Sequence, residues 1–220
     1  MTTRASTDVG SRKLRADAER NRLRIIAAAR ELFAERGLDV TLDDVAAHAG
    51  VGVGTVYRRF ANRDELIVGV VTEHLTHVAE QTQASLDDPD PWRGVVDILT
   101  LVASSMAEDR GLAAVIMSID HSHPDIMAAK SIMTDRMGAV YDRAISAGVL
   151  RDDLEVTDFF VILGMLASAA EMTQPVVPNA WRRSLELILA GIRADGHEPF
   201  TVPALTDEQV RKIQSRKHSQ

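Results

Sequence analysis

Residues 25 to 66 read IIAAARELFAERGLDVTLDDVAAHAGVGVGTVYRRFANRDEL, and this stretch decides the fold. Ile25, Ala28, Ala29, Leu32 and Phe33 recur at the i, i+3, i+4, i+7 spacing of one helix face, and Gly37 is placed to end that helix in a left-handed cap. Thr41 precedes Leu42-Asp43-Asp44, a capping-box-like start in which a hydroxyl accepts from an early backbone amide and Asp44 lies near the positive end of the helix dipole. Val45, Ala46 and Ala49 then face inward over a short second helix that Gly50 ends. A third helix opens near Gly54, with Val56 and Phe60 inward and Tyr57, Arg58 and Arg59 outward. Between Gly50 and Gly54 there is room only for a tight corner. Two short helices so joined and braced by a longer first one make a helix-turn-helix, whose second helix can lie in a major groove.

The same stretch resembles the N-terminal DNA-binding domain of TetR-family transcriptional regulators. The resemblance rests on Leu32-Phe33 and Gly37, the Thr41 start, Ala46, Ala49-Gly50, Gly54-Thr55-Val56-Tyr57 with Phe60, and the basic-acidic-acidic-Leu step from Arg63 to Leu66. It implies that Tyr57 meets a DNA phosphate through its hydroxyl, and that Thr41 and Arg63 meet others at the starts of two helices, contacts that fix register rather than sequence. Gly54 would let backbone approach DNA closely. Base reading would fall to Val53, Thr55, Arg58 and Arg59, with Arg58 suited to a bidentate contact with guanine and Val53 and the Thr55 methyl to a thymine methyl. Two positions depart from the family pattern. Gly52 stands where the family usually has a Ser N-cap, and Val53 where a polar or Lys residue is common, which leaves open one cap bond and one DNA contact.

Outward from this unit the helices lengthen. Patterning predicts helices over 63–84, 92–108, 112–119, 124–147, 156–172 and 179–194, and a last one from Thr206, with a breaker at Asp87-Asp88-Pro89-Asp90-Pro91 and stops at Gly111, Gly148 and Gly196. No stretch reads convincingly as a strand. The expected fold is all-α: a basic flexible arm over 1–18, a helix-turn-helix reader over 19–65, a larger helical ligand-binding and dimerisation domain over 66–196, and a tail over 197–220.

One reader makes few base contacts, so specificity needs a dimer on a near-palindromic operator in double-stranded DNA. Residues 156 to 172 are apolar on two sides, Val156, Phe159, Phe160, Leu163, Ala167 and Ala170 on one and Ile162, Met165, Leu166 and Ala169 on the other. A helix apolar on two sides must be covered on two sides. The next helix carries a stripe at Trp181, Leu185, Ile188, Leu189 and Ile192. The resemblance implies that these two helices pair with their counterparts in a homodimer, through Phe159, Leu163, Leu166, Ala167, Leu185, Ile188, Leu189 and Ile192.

For the intervening helices the resemblance implies a small-molecule effector. Met106, Met117, Met133 and Met137 are the candidate pocket residues, because thioethers adapt to irregular apolar ligands. Aromatic residues make only 4% of the chain, which favours an aliphatic wall and an apolar effector. Histidines offer little: His74 and His77 with Glu73, and His121 with His123, lack a third and fourth ligand, so no metal or cofactor is expected. There is no cysteine, which excludes disulfides and thiol catalysis, and no nucleophile elbow, phosphate loop or HExxH; the chain does not read as an enzyme.

The net charge of −7 over 220 residues argues, as an average, against nucleic acid. Its distribution argues otherwise. Residues 1 to 65 carry 12 Lys and Arg against 10 Asp and Glu, whereas the remaining residues carry 13 against 22. Arg12, Lys13, Arg15, Arg20, Arg22 and Arg24 crowd the approach to the first helix. The longest apolar run, Phe159 to Ala170, is shorter than the ~20 residues that span a bilayer, and no signal peptide opens the chain, so a cytoplasmic protein without membrane partners is expected. The function expected is a homodimeric repressor released from its operator by an effector; the alternatives are a regulator without effector, activating or architectural, and an acidic helical binding protein without DNA function.

Overall fold

Only Gly10 interrupts a run of helix-compatible residues from Ser6, and in the computed structural model α1 (Ser6–Arg36) is one helix of 31 residues. The arm expected over 1–18 is thus helical from Ser6 onward, because nothing in its sequence breaks the helix that follows it. The structure describes residues 6–37, 39–108, 112, 115–116, 119, 122–173, 176–196 and 198–216, with side chains described from Asp17 to Ile213 except at 106 and 108. Met106, as a side chain, and Met117, Gly111 and His121 lie outside the described residues, as do the side chains of Arg12, Lys13 and Arg15.

Four further elements complete the reader and lead out of it. α2 (Leu42–Ala49) starts on the Thr41 capping box and stops on Gly50, whose φ of 62° and ψ of 38° place it in the left-handed region that glycine enters without strain. The Gly50 amide reaches back to the carbonyls of Ala46 and Ala47. α3 (Val53–Arg59) follows after three residues and α4 (Arg63–Leu86) after three more, the latter capped by the Asn62 side chain, which accepts from the Glu65 amide. α5 (Pro91–Glu108) begins beyond the predicted breaker, at Pro91.

Ile25, Ala29, Leu32 and Phe33 of α1, Val45 and Ala46 of α2, and Val56 and Phe60 around α3 are buried together with Leu66, Ile67, Val70 and Val71 of α4. α4 passes close enough to α3 that a Cβ added at Gly69 would lie 2.7 Å from Cε1 of Phe60. The absent side chain therefore seats the Phe60 ring. The same core also takes in Leu112, Val115, Ile119 and Ile126, so the reader is closed on one side by residues far along the chain.

The body continues with α6 (Pro124–Ser146), α7 (Asp158–Thr173), α8 (Trp181–Ile192) and α9 (Asp207–Arg216). α6 packs along α4, fastened by Arg136, which donates to the Ala79 carbonyl at 2.7 Å, and by Arg143, which donates to Leu86 at 2.9 Å and to the Asp88 carbonyl. α7 and α8 pack on each other and on α5, enclosing Trp181, Leu99, Leu166, Phe159, Leu185 and Ile192. No strand occurs among the described residues; a single antiparallel bridge joins Leu150 to Arg193.

Candidate nucleic-acid interface and cavity

α3 presents an exposed outer face and a buried inner one. Val56 is fully buried and Phe60 nearly so, while Val53 is 45% and Tyr57 50% exposed, and Gly54, Arg58 and Arg59 are exposed as well. Thr55 is half-buried, and its hydroxyl accepts from Arg58 Nη2 at 3.2 Å, which ties the two expected base readers to each other. A Cβ at Gly54 would meet nothing within 4 Å, so the space above it is open on the side where a groove would lie. Gly52 is the N-cap of α3 and makes no side-chain cap bond, the physical consequence of glycine in that position. Arg24 supports this corner from α1, donating through Nη2 to the Ala49 carbonyl at 2.8 Å.

Two expected contacts are engaged within the chain. The Thr41 hydroxyl accepts from the Asp44 amide at 3.1 Å and donates to Asp44 Oδ2 at 2.6 Å, while the Thr41 amide donates to the same carboxylate at 3.0 Å. These hydrogen bonds, with Arg36 contributing further, hold the Asp44 carboxyl below its ordinary value. The hydroxyl expected to meet phosphate is thus occupied by its own cap. Arg59 reaches Glu19 of α1 at 3.4 Å, and Glu19 also holds Arg22, which continues to Glu73 of α4 at 2.6 Å. Glu19 was not legible as a partner, because it lies 40 residues from Arg59 in the sequence. Arg63 is half-buried at the first turn of α4, and its Nε is buried without a hydrogen-bond partner.

In the body, a cavity of about 300 Å³ opens between α5, α6, α7 and α9. Val95 and Ile98 of α5 form one wall; Met133, Met137, Val140 and Tyr141 of α6 form another. Phe159, Phe160 and Leu163 of α7 close the third. The two described methionines of the expected pocket therefore line it. Its wall is mainly aliphatic, from Val95, Ile98, Val140, Val156, Leu163 and Val210 beside the two methionines, but three of the chain's nine aromatic residues also meet there, with the Tyr141 and Phe159 rings edge to face at a centroid distance of 6.0 Å. Low aromatic content says nothing about where the few rings gather. The Tyr141 hydroxyl donates to the Leu154 carbonyl at 2.6 Å, and its pKa is raised by burial and by the nearby Glu155, Asp142 and Asp158 carboxylates.

The apolar faces of α7 and α8 divide differently from expectation. Phe159, Leu166, Leu185 and Ile192 are buried inside their own chain, where they cannot offer side chains to a partner. Leu163, Ala167, Ile188 and Leu189 are half-buried, and the outward face is instead Val161, Met165 and Met172 of α7 with Leu187 of α8. Added Cβ atoms at Gly164 and Gly191 would meet nothing within 4 Å. A period of 3.6 identifies apolar stripes; it does not say which stripe the chain covers itself.

The histidines have local roles. His123 caps α6, its Nδ1 accepting from the Asp125 amide at 3.3 Å, His48 Nε2 lies 2.7 Å from a Glu31 carboxylate oxygen, and Glu73 is paired with Arg22. Among the described residues no helix is long and apolar enough to cross a membrane.

Residues 25–70 match the family model of bacterial regulatory proteins of the tetR family, and residues 90–194 match that of the C-terminal domain of SbtR-like transcriptional regulators. The chain belongs to the TetR family of transcriptional regulators. It is 29% identical over 162 residues to the HTH-type transcriptional regulator SrpR of Pseudomonas putida, which spans 71% of this chain and 76% of that one. To the HTH-type transcriptional repressor Rv3405c of Mycobacterium tuberculosis it is 45% identical over 76 residues, covering 34% of this chain and 39% of the relative. A solved TetR regulator from Mycobacterium vanbaalenii superimposes with a TM-score of 0.64 at 28% identity, over 82% of this chain and 99% of that one. TetR regulators bind DNA, dimerise and bind small molecules, and they are generally not enzymes.

Proposed function

We propose that this TetR regulator is a homodimeric repressor, reading a near-palindromic operator through α3 and released from it when a small molecule fills the cavity in the body. One observation carries this reading: α6 both lines the cavity and is fastened along α4, whose first turn bears Arg63 at the reader. A ligand that displaces α6 therefore acts on the helix that positions the reader, and a change in the spacing of two readers lowers affinity for DNA. The reader is assigned to 19–65 and the body to 66–196. Tyr57 and Arg63 hold phosphates, Arg58 and Thr55 read bases, and Arg59 adds a phosphate contact once it leaves Glu19. The repressor in the name of the mycobacterial relative, whose match covers 34% of this chain, supports the direction of regulation.

The dimer contact is assigned to the exposed faces of α7 and α8, which carry Met165, Met172, Leu187, Gly164 and Gly191. Four medium-sized apolar residues on one uncovered face are the composition of an interface core. A gel shift with DNA upstream of the protein's own gene, alone and with candidate effectors, tests the whole reading. Binding that a cavity occupant weakens is the expected result, and specific binding that no cavity occupant alters would defeat the effector assignment.

A further inference from the structure

The cavity has a charged rim, part of which lies beyond both matched family spans. α9, at 207–216, lies beyond the matched span of 90–194, yet its Asp207, Val210 and Arg211 stand on the cavity opposite Lys130 of α6. The chain is clamped to the body shortly before this helix. Arg151 is 6% exposed and paired with Asp153 through Nε at 2.6 Å and Nη2 at 2.8 Å. From there Nη2 also donates to the Glu198 carbonyl at 2.8 Å, and the guanidinium stacks on the Phe200 ring at 3.5 Å. The Phe200 amide donates in turn to Asp153 Oδ2 at 2.8 Å. The segment leading into α9 is thereby held to the body, and Val210 with Arg211 becomes a wall of the cavity.

The rim carries two cations and one carboxylate around an interior of rings and thioethers. Burial lowers the Lys130 pKa, and a negative charge beside the ammonium opposes that shift. Arg211 has no ion-pair partner among the described residues. At about 300 Å³ the space lies at the small end of ligand sites.

We propose that the effector is a small monoanionic amphiphile, an apolar ring or short chain bearing one carboxylate or sulfonate, with its head held at the rim by Arg211 of α9 and Lys130 of α6. Its body lies against Met133, Met137, Tyr141, Phe159 and Phe160. The inference rests on the cavity being the effector site and adds to it the charge class of the ligand and the part played by the C-terminal helix.

Two fluorescent probes that differ only in charge test it on the full chain: 1-anilinonaphthalene-8-sulfonate and N-phenyl-1-naphthylamine, the same rings with and without the sulfonate. The wild-type protein binds the sulfonate roughly tenfold more tightly or better, the worth of a charge-assisted hydrogen bond. Arg211→Gln and Lys130→Gln each remove most of that preference and leave affinity for the neutral amine within about twofold, since the amine carries no charge for either cation to hold. Leu163→Trp, which fills the cavity, weakens both probes. Equal affinity of the two probes for the wild-type protein, a preference that survives both Gln variants, or sulfonate binding unaffected by Leu163→Trp would each overturn the proposal. Operator release is read separately by gel shift. Release by neutral ligands alone refutes the charge class and leaves the effector reading standing, whereas a charge preference without any release refutes the effector reading and leaves the anion site.

Discussion

Replacing Gly69 by Ala places a methyl group 2.7 Å from Phe60 Cε1 and 3.4 Å from Cζ. Carbon atoms rest at about 3.5 to 4.0 Å, so the ring must retreat by roughly 1 Å into a core in which Phe60 is 5% exposed. Such overpacking costs about 1 to 3 kcal/mol, against which Ala in place of Gly inside a helix contributes about 1 kcal/mol. The net expectation for Gly69→Ala is a loss of about 0 to 2 kcal/mol, and a larger effect on DNA affinity, because Phe60 is the residue that closes α3. Phe60→Leu removes both offending atoms. In that background the same Gly69→Ala change should turn stabilising by about 1 kcal/mol, a coupling of about 1 to 3 kcal/mol between the two sites. Urea unfolding of the four proteins measures the cycle, and fluorescence anisotropy with operator DNA shows whether the double variant recovers binding lost in the single one. A Gly69→Ala effect of the same sign and size in both backgrounds would refute the close-approach argument.

Glu19→Gln should free Arg59 while Arg22 keeps Glu73, changing stability by no more than about 0.5 kcal/mol, as for other exposed pairs, while raising DNA affinity and steepening its salt dependence; a flat salt response would show that Arg59 does not reach phosphate. Asp44 has a folded-state pKa depressed below 3.8, so its contribution to stability is present above that value and is lost as pH falls through the lower folded value; Asp44→Asn should flatten the acid limb of thermal stability, measured by circular dichroism from pH 5 downward. Met165→Asp together with Leu187→Asp should turn a dimer into a folded monomer in sedimentation velocity, whereas the same pair leaving a dimer would move the interface elsewhere. Because both side chains are at least half exposed, the monomer should keep its helical spectrum.

The reader was legible because its signals are local. Thr41 and Asp44 lie three apart, Gly50 ends one helix, and Val56 and Phe60 bury the side of α3 opposite Tyr57, all within one turn or two of chain. What sequence could not rank was competition between equivalent surfaces. α7 has apolar residues all round, and only the placement of α5 and α8 decides that Phe159 and Leu166 are covered while Val161 and Met165 are not. The cavity was half legible for the same reason. Met133 and Met137 stand on one face of a single helix, but Phe159, Phe160 and Val210 arrive from elements brought in by tertiary packing. Arg59 and Glu19, likewise, meet only because α1 crosses behind α3.

The core that closes the reader has a consequence for anyone who would exchange parts between regulators. Leu112, Val115, Ile119 and Ile126 belong to that core although they are separated from it in sequence by the whole of α5. A chimera joined near residue 65 would set a foreign quartet against the core that Ile26 and Phe33 of α1 help to form, and would inherit a mismatched seam however well its DNA-facing residues were chosen. Portable specificity in this chain therefore has two addresses, the α1 to α4 segment and the residues around 112 to 126, and a transplant that moves both should retain the stability that moving the first alone forfeits.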